Sequence, residues 1–135
     1  MCPEDMNIEQ RIKDIVSYHS GTAIESLSLD TRIEEDLGAT GDDAWELIED
    51  VRKEFGIDFS SFDFLKHFSP EAGFASHPDY GYYPITVRHL VEVALSKAWF
   101  LPPISEGNFS RERARRLNTS LFLVGTVILI LVLVT

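Results

Sequence analysis

The fold is decided by the stretch EDLGATGDDAWELIEDVRKEFG, residues 35–56. Its first half is rich in glycine and acidic residues, a composition typical of a turn that leads into a helix. Asp42 or Asp43 should begin the helix, because a carboxylate there binds free backbone amides and favours the positive end of the helix dipole. Gly56 should end it, since glycine adopts the left-handed conformation that closes many helices.

This predicted helix has an apolar face and an acidic face. The apolar residues recur at the spacing of a face that packs against a core, and they are Ala44, Leu47, Ile48, Val51 and Phe55. The acidic residues are Asp42, Glu46, Glu49 and Asp50, and Trp45 lies beside them. Such a stripe is either a solvated face or a docking surface for a basic partner.

A first helix is expected before this stretch. It should begin near Asn7, where Asn7 and Gln10 form a weak variant of a capping box, and it should end at Gly21. One face of this helix is predicted to be buried and carries Ile8, Ile12, Ile15, Val16 and His19. Residues 22–41 should then form a loop of polar turn residues with scattered apolar anchors.

Two further helical segments are expected after Gly56, so the predicted domain is an all-α bundle of three to four helices. The phenylalanine-rich residues 59–68 are long enough for one or two helical turns. Thr86 can cap a last helix, whose core face would hold Leu90, Val91, Val93, Ala94 and Ala98. No alternating pattern longer than a few residues indicates a strand.

The C-terminal part predicts a single transmembrane helix. A linker with two prolines, residues 102–116, separates the domain of residues 1–101 from the uncharged residues 117–135. As a helix these 19 residues would reach about 28 Å, close to the roughly 30 Å of bilayer hydrocarbon. The segment is preceded by Arg111, Arg113, Arg115 and Arg116. By the positive-inside rule these arginines keep the N-terminal domain in the cytoplasm; a buried core helix or an oligomer contact is the alternative.

Most of the negative charge lies in residues 1–110, before the arginine-rich end of the linker. Residues 1–110 hold 21 acidic and 8 basic side chains, and the whole chain has a formal net charge of −10. Nucleic-acid binding is not expected, because such a domain repels phosphates. A protein partner with a basic docking patch fits this charge.

Four pieces of the chain, in order, resemble acyl carrier proteins. They are residues 7–16, the loop residues 35–42, residues 46–47 and 54–58 of the second helix and its end, and Ile85-Thr86-Val87 before the last helix. The resemblance covers about residues 7–100 and implies an acyl-carrier-like helical bundle. Residues 69–83 look like an insertion relative to short carriers. The Gly-Asp-Asp turn is similar to that of a group of uncharacterised bacterial carrier-like proteins.

The departures from this family concern its chemistry. In acyl carrier proteins a serine at the start of the second helix bears 4′-phosphopantetheine through a phosphodiester bond. Gly41 stands at that position here, and Asp42 replaces the leucine of the family. Thr40 has a hydroxyl, but one residue turns a side chain by about 100° around a helix, so Thr40 is a poor substitute. Neither 4′-phosphopantetheine nor another cofactor is therefore expected.

These features predict a non-enzymatic, single-pass, membrane-tethered protein of acyl-carrier-like fold, acting as a protein-interaction or regulatory module at a bacterial inner membrane. Its partner-binding face would consist of Asp42, Trp45, Glu46, Glu49 and Asp50. A functional carrier for lipid or envelope synthesis, modified at Thr40 or elsewhere, is the alternative. A third possibility is an enzyme that uses histidines around residues 68–83. The four histidines show no metal-ligand spacing, so no metal site is expected.

Overall fold

A computed structural model describes residues 3–69 and 77–105 of the chain. Four α-helices and one 3₁₀ turn occur there: α1 (Pro3–Ser20), the 3₁₀ turn (Ile24–Ser26), α2 (Gly41–Phe55), α3 (Phe64–His67) and α4 (Val87–Ser96). Within these residues there is no strand, although isolated bridges join Arg32 to Thr86 and Asp58 to Ala98. The prediction of an all-α bundle of three to four helices is confirmed.

Helix α1 starts earlier than predicted. It begins at Pro3 rather than near Asn7, because proline is well suited to the first position of a helix. Asn7 therefore lies inside the helix, and its interpretation as part of a capping box is wrong. The end was predicted correctly, since Gly21 follows the helix and donates from its N–H to the carbonyl of Ser17 at 3.0 Å. The buried residues of α1 are Ile8, Ile12 and Val16.

Helix α2 begins at Gly41, one residue before the predicted start, and ends before Gly56 as predicted. Thr40 is the N-cap residue, but its side chain makes no capping hydrogen bond. Gly56 has a φ of 63°, and its N–H donates to the carbonyl of Arg52, which closes the helix in the left-handed conformation. The buried face consists of the five residues predicted from their spacing: Ala44, Leu47, Ile48, Val51 and Phe55.

Helix α4 is capped as predicted, because Thr86 Oγ1 accepts a hydrogen bond from the N–H of His89 at 3.1 Å. Its buried residues are Val87, His89, Leu90, Val93 and Ala94, and Val91 is partly buried. Ala98 is exposed, against the prediction. The helix ends at Ser96, and Lys97 with its φ of 64° turns the chain away before Ala98 is reached.

The loop before α2 covers one side of the core and pairs with the start of α4. The N–H of Ile33 donates to the carbonyl of Ile85 at 2.9 Å, and the N–H of Val87 donates to the carbonyl of Thr31 at 3.0 Å. Ile33 is fully buried and belongs to the same hydrophobic core as the buried side chains of helices α1, α2 and α4. The loop is therefore fastened to the core and to the start of α4, and it holds the start of α2 in place.

Residues 97–105, here named the strap, return across the domain after α4. The N–H of Trp99 donates to the carbonyl of Asp58 at 2.8 Å, and the N–H of Ser105 donates to the carbonyl of Tyr82 at 2.8 Å. Pro102 is buried. The first residues of the predicted linker thus lie against the domain.

The predicted transmembrane helix, residues 117–135, lies outside the described residues, and so do Arg111, Arg113, Arg115 and Arg116. Among the helices that are described, none is both long enough and apolar enough to cross a bilayer.

Candidate functional site

The start of α2 offers no side chain for a covalent attachment at Gly41. Gly41 has a φ of 57°, in the left-handed region that glycine adopts without strain. The neighbouring Thr40 has an extended backbone, and its Oγ1 donates to the carbonyl oxygen of Ser69 at 3.2 Å. The one hydroxyl beside the attachment position is therefore bonded to the segment that follows α3.

A carboxylate in the loop fastens this segment. Glu34 Oε2 accepts from the N–H of Ser69 at 2.6 Å, and Glu34 Oε1 accepts from the hydroxyl of Tyr80. Both partners come from the predicted insertion, of which residues 69 and 77–83 are described. Glu34 therefore joins both ends of the insertion to the loop that precedes α2, and we name this arrangement the Glu34 clasp.

The carrier-like loop is also fixed internally. Arg32 Nη2 donates to Asp36 Oδ1 at 2.9 Å, and the backbone N–H of Arg32 donates to Asp36 Oδ2 at 2.8 Å. The hydrogen bonds from Arg32 lower the pKa of Asp36 below its ordinary value. Asp36 is thereby occupied in holding the loop.

The predicted partner-binding face divides into two halves. Glu49 is paired with Arg52 at 2.9 Å, and Asp50 Oδ2 lies 2.6 Å from His19 Nε2. Asp42 and Glu46 are exposed and have no ion-pair partner among the described residues, and the same holds for Asp43. Uncompensated negative charge thus lies on the first half of α2.

Trp45 lies within this uncompensated half. Positions 42, 45 and 46 share one helical face, because they are separated by three and four residues. The indole of Trp45 is 48% exposed and packs edge-on against Phe64, with ring centroids 5.6 Å apart. Phe64 in turn stacks on the buried Phe68. The tryptophan is thus held in position by α3 while half of it faces solvent.

Two of the four histidines are buried, and the other two, His19 and His77, each lie beside an aspartate. Burial lowers the pKa of His67 to about 4, against the opposing effect of its hydrogen bond to the carbonyl of Tyr83. Burial likewise lowers the pKa of His89. His77 Nε2 lies 3.5 Å from Asp63 Oδ2. Across the described ranges, no three His, Cys, Asp or Glu side chains come together as metal ligands.

A groove of about 500 Å³ opens between the loop, the first turns of α4 and the strap. Asp30, Arg88, Glu92 and Ile104 contribute to its lining, and Arg88 and Asp30 form an ion pair at 3.0 Å. No residue of α2 lines it, so this groove is separate from the predicted partner-binding face.

The sequence did not indicate the Glu34 clasp or the bonds of the strap. Glu34 lies 35 positions from Ser69 and 46 positions from Tyr80, so no local spacing connects them. The buried His67 and Trp99 are likewise joined only by the tertiary fold. In the sequence, Glu34 is followed by a second glutamate, which is the pattern of an ordinary exposed acidic pair. Nothing in this local pattern indicates that Glu34 bonds to distant residues.

Residues 5–101 match the family described as "Protein of unknown function (DUF1493)". The chain is 38% identical over 52 residues to a protein named acyl carrier protein from Rickettsia bellii (strain RML369-C), covering 38% of this chain and 60% of that protein. It is 33% identical over 61 residues to the acyl carrier protein of Nitratidesulfovibrio vulgaris (strain DP4), covering 45% of this chain and 80% of that protein. No solved structure matches the chain significantly.

The family match extends over the whole described domain, whereas the chain spans about three fifths of the Rickettsia relative's length. The resemblance of the helices and of the loop before α2 to acyl carrier proteins is thus supported by sequence identity to proteins of that name. The chain belongs to the DUF1493 family and is related to acyl carrier proteins.

Proposed function

We propose that this protein is a non-enzymatic carrier-like module that recruits a protein partner through the first half of α2. The observation that carries the proposal is Trp45, a large apolar side chain that is 48% exposed between acidic residues of an otherwise well-packed helix. Exposed tryptophans are favoured anchors of protein interfaces, because they bury a large area at low entropic cost. The partner would present a basic patch around an apolar pocket.

The proposed docking face consists of Asp42, Asp43, Trp45 and Glu46. The carboxylates would accelerate association and orient the partner, while the indole would supply most of the affinity. Glu49 and Asp50, which the sequence also indicated, contribute at the edge of this face, because Glu49 is paired with Arg52 and Asp50 is bonded to His19. The proposed docking face is therefore smaller than the face predicted from the sequence, because it is centred on the carboxylates that have no ion-pair partner among the described residues.

The same helix start argues against a loaded carrier. Gly41 provides no oxygen for a phosphodiester, and Asp42 places a charge where the carrier family has an apolar residue. The hydroxyl of Thr40 is engaged with Ser69. We therefore propose that the protein carries no 4′-phosphopantetheine and no other cofactor, and that the carrier fold is retained for recognition.

The location that fits this role is the cytoplasmic face of a bacterial inner membrane. The support is the sequence of the tail: residues 117–135 are uncharged and follow Arg111, Arg113, Arg115 and Arg116. The arginines would contact anionic headgroups, while the acidic domain would remain in the cytoplasm. Resistance of the chain to alkaline extraction from membranes supports the tether, and complete release contradicts it.

Photo-crosslinking in the native host tests the docking face directly. A photoreactive amino acid at position 46 should give a discrete crosslinked species, and Trp45→Ser should abolish it. The same amino acid at position 25, an exposed acidic position in the 3₁₀ turn, is the matched control. Equal crosslinking at both positions, or no effect of Trp45→Ser in a folded protein, would show that the first half of α2 is not the docking face.

A second candidate function is a true carrier for lipid or envelope synthesis. It is favoured by the name of the relatives, which are acyl carrier proteins, and Thr40 is the hydroxyl that such a function would require. Intact mass after co-expression with a phosphopantetheinyl transferase separates the two functions. A gain of one phosphopantetheine arm supports the carrier.

A further inference from the structure

Three buried nitrogen atoms in one aromatic cluster have no hydrogen-bond partner among the described residues. They are His67 Nε2, His89 Nδ1 and Trp99 Nε1, and their residues are only 3%, 2% and 6% exposed. Buried polar atoms are nearly always paired with protein or with ordered water, and leaving one unpaired costs about 1–3 kcal/mol. Three such atoms in one cluster therefore require a partner that the described residues do not supply.

Trp99 connects the two histidines. Its ring packs edge-on against His67 with centroids 5.2 Å apart, and edge-on against His89 with centroids 5.0 Å apart. Phe59 and Phe62 pack on the same indole at 5.4 and 4.8 Å. Aromatic rings thus surround the indole that connects the two histidines.

In each of the two buried histidines, the hydrogen bond of one ring nitrogen determines which nitrogen carries the proton. His67 Nδ1 lies 2.8 Å from the carbonyl oxygen of Tyr83, and His89 Nε2 lies 2.8 Å from the carbonyl oxygen of Phe100. A carbonyl oxygen only accepts, so each of these nitrogens must donate. In a neutral ring the other nitrogen then carries a lone pair. His67 Nε2 and His89 Nδ1 are therefore acceptors, whereas Trp99 Nε1 is a donor.

Two acceptors and one donor define the chemistry of the missing partner. A water molecule can donate both of its hydrogens and still accept one hydrogen bond, and buried waters typically make about three hydrogen bonds. A metal ion would bind both lone pairs but would repel the N–H of Trp99, and a zinc site requires more ligands than two. A hydroxyl group can donate only once.

We propose that a single buried water molecule binds between His67 Nε2, His89 Nδ1 and Trp99 Nε1. It donates to both histidines and accepts from the indole. Because the three residues belong to α3, α4 and the strap, this water fastens the strap to two helices. It acts together with the bond from His89 to Phe100 and with the bond from Trp99 to Asp58. The strap that leads toward the C-terminal tail is thereby fixed at its aromatic end.

Nuclear magnetic resonance on the isotope-labelled 135-residue chain in detergent tests this site. Near neutral pH the indole N–H of Trp99 should show a cross peak to water with the sign of a long-lived bound molecule. Long-range spectra of the imidazole nitrogens should show His67 protonated at Nδ1 and His89 protonated at Nε2. Trp45→Phe assigns the Trp99 signal, because the chain has only two tryptophans, and it should leave the cross peak unchanged.

A variant that lacks the indole N–H of Trp99 provides a second test. Trp99→Phe keeps an aromatic ring and removes the N–H, so the nitrogen shifts of His67 Nε2 and His89 Nδ1 should change while those of His77 stay constant. The water site is refuted if the wild-type indole shows no cross peak to water. It is also refuted if either histidine has the opposite tautomer, or if elemental analysis finds a bound metal whose removal alters both imidazole spectra. The wild-type outcomes decide the matter even where Trp99→Phe fails to fold.

Discussion

The hydroxyl of Thr40 donates a hydrogen bond to the carbonyl oxygen of Ser69, 29 positions later in the chain, at 3.2 Å. This bond links the residue before α2 to the segment after α3. The Glu34 clasp adds two bonds to the same segment. The start of α2, where members of the acyl carrier family bear their prosthetic group, is therefore braced by residues of the predicted insertion.

The Glu34 clasp should contribute measurably to stability. We expect Glu34→Ala to lower the free energy of unfolding by about 2 kcal/mol, because a partly buried carboxylate then no longer accepts from Ser69 and Tyr80. Urea denaturation measures the change. Glu25→Ala, at an exposed position of the 3₁₀ turn, is the control and should stay within about 0.5 kcal/mol of the wild type. A change at Glu34 as small as that of the control would contradict a clasp.

Stability should fall as the pH is lowered from neutral, because His67 is buried as a neutral ring. Burial lowers its pKa to about 4 in the folded state, whereas an unfolded histidine titrates near 6.5. The unfolded chain therefore binds a proton first. Between pH 7 and pH 5 the free energy of unfolding should drop by about 2 kcal/mol through His67. His89 acts in the same direction, since burial lowers its pKa as well.

Urea denaturation at the two pH values measures this dependence. In His67→Phe the difference between them should shrink by about 2 kcal/mol, since the variant removes the titrating ring. His77→Gln, which removes a partly exposed histidine, is the matched control. An undiminished dependence in a folded His67→Phe would show that His67 is not its source.

Local signals predicted much of the helical framework. The apolar spacing in α2 predicted all five of its buried residues. Gly56 and Thr86 correctly predicted a helix end and a helix cap, because the bonds they form are to residues close in the sequence. Ala98 was placed wrongly, because the left-handed turn at Lys97 ends the periodicity before it. Spacing within one helix is visible in a sequence, whereas the exit of the chain from that helix is not.

The candidate site could be predicted only in part. The sequence placed Trp45 beside the acidic stripe of α2, and the structure leaves it 48% exposed. The contact between Asp50 and His19 did not follow, because the two lie on different helices and 31 positions apart. The aromatic cluster around Trp99 also depends on the path of the strap, for which no periodic pattern exists.

The left-handed conformation at Gly41 should make its replacement costly. We expect Gly41→Ala to lower the free energy of unfolding by about 1 kcal/mol, because a Cβ is unfavourable at a φ of 57°. Asparagine tolerates this conformation better, so Gly41→Asn should lose less. Thermal and urea denaturation measure both variants. Equal losses in the two variants would indicate that packing, and not backbone conformation, requires glycine here.

The intact mass of the chain after co-expression with a phosphopantetheinyl transferase decides whether this carrier-like domain is recognised without being loaded. The wild-type chain should keep its unmodified mass. The variant Gly41→Ser with Asp42→Leu, which restores the hydroxyl and the apolar contact of the carrier family, serves as the positive control and should gain one phosphopantetheine arm. A wild-type chain that gains this arm, with the modification lost in Thr40→Val, would show that the protein is a loaded carrier.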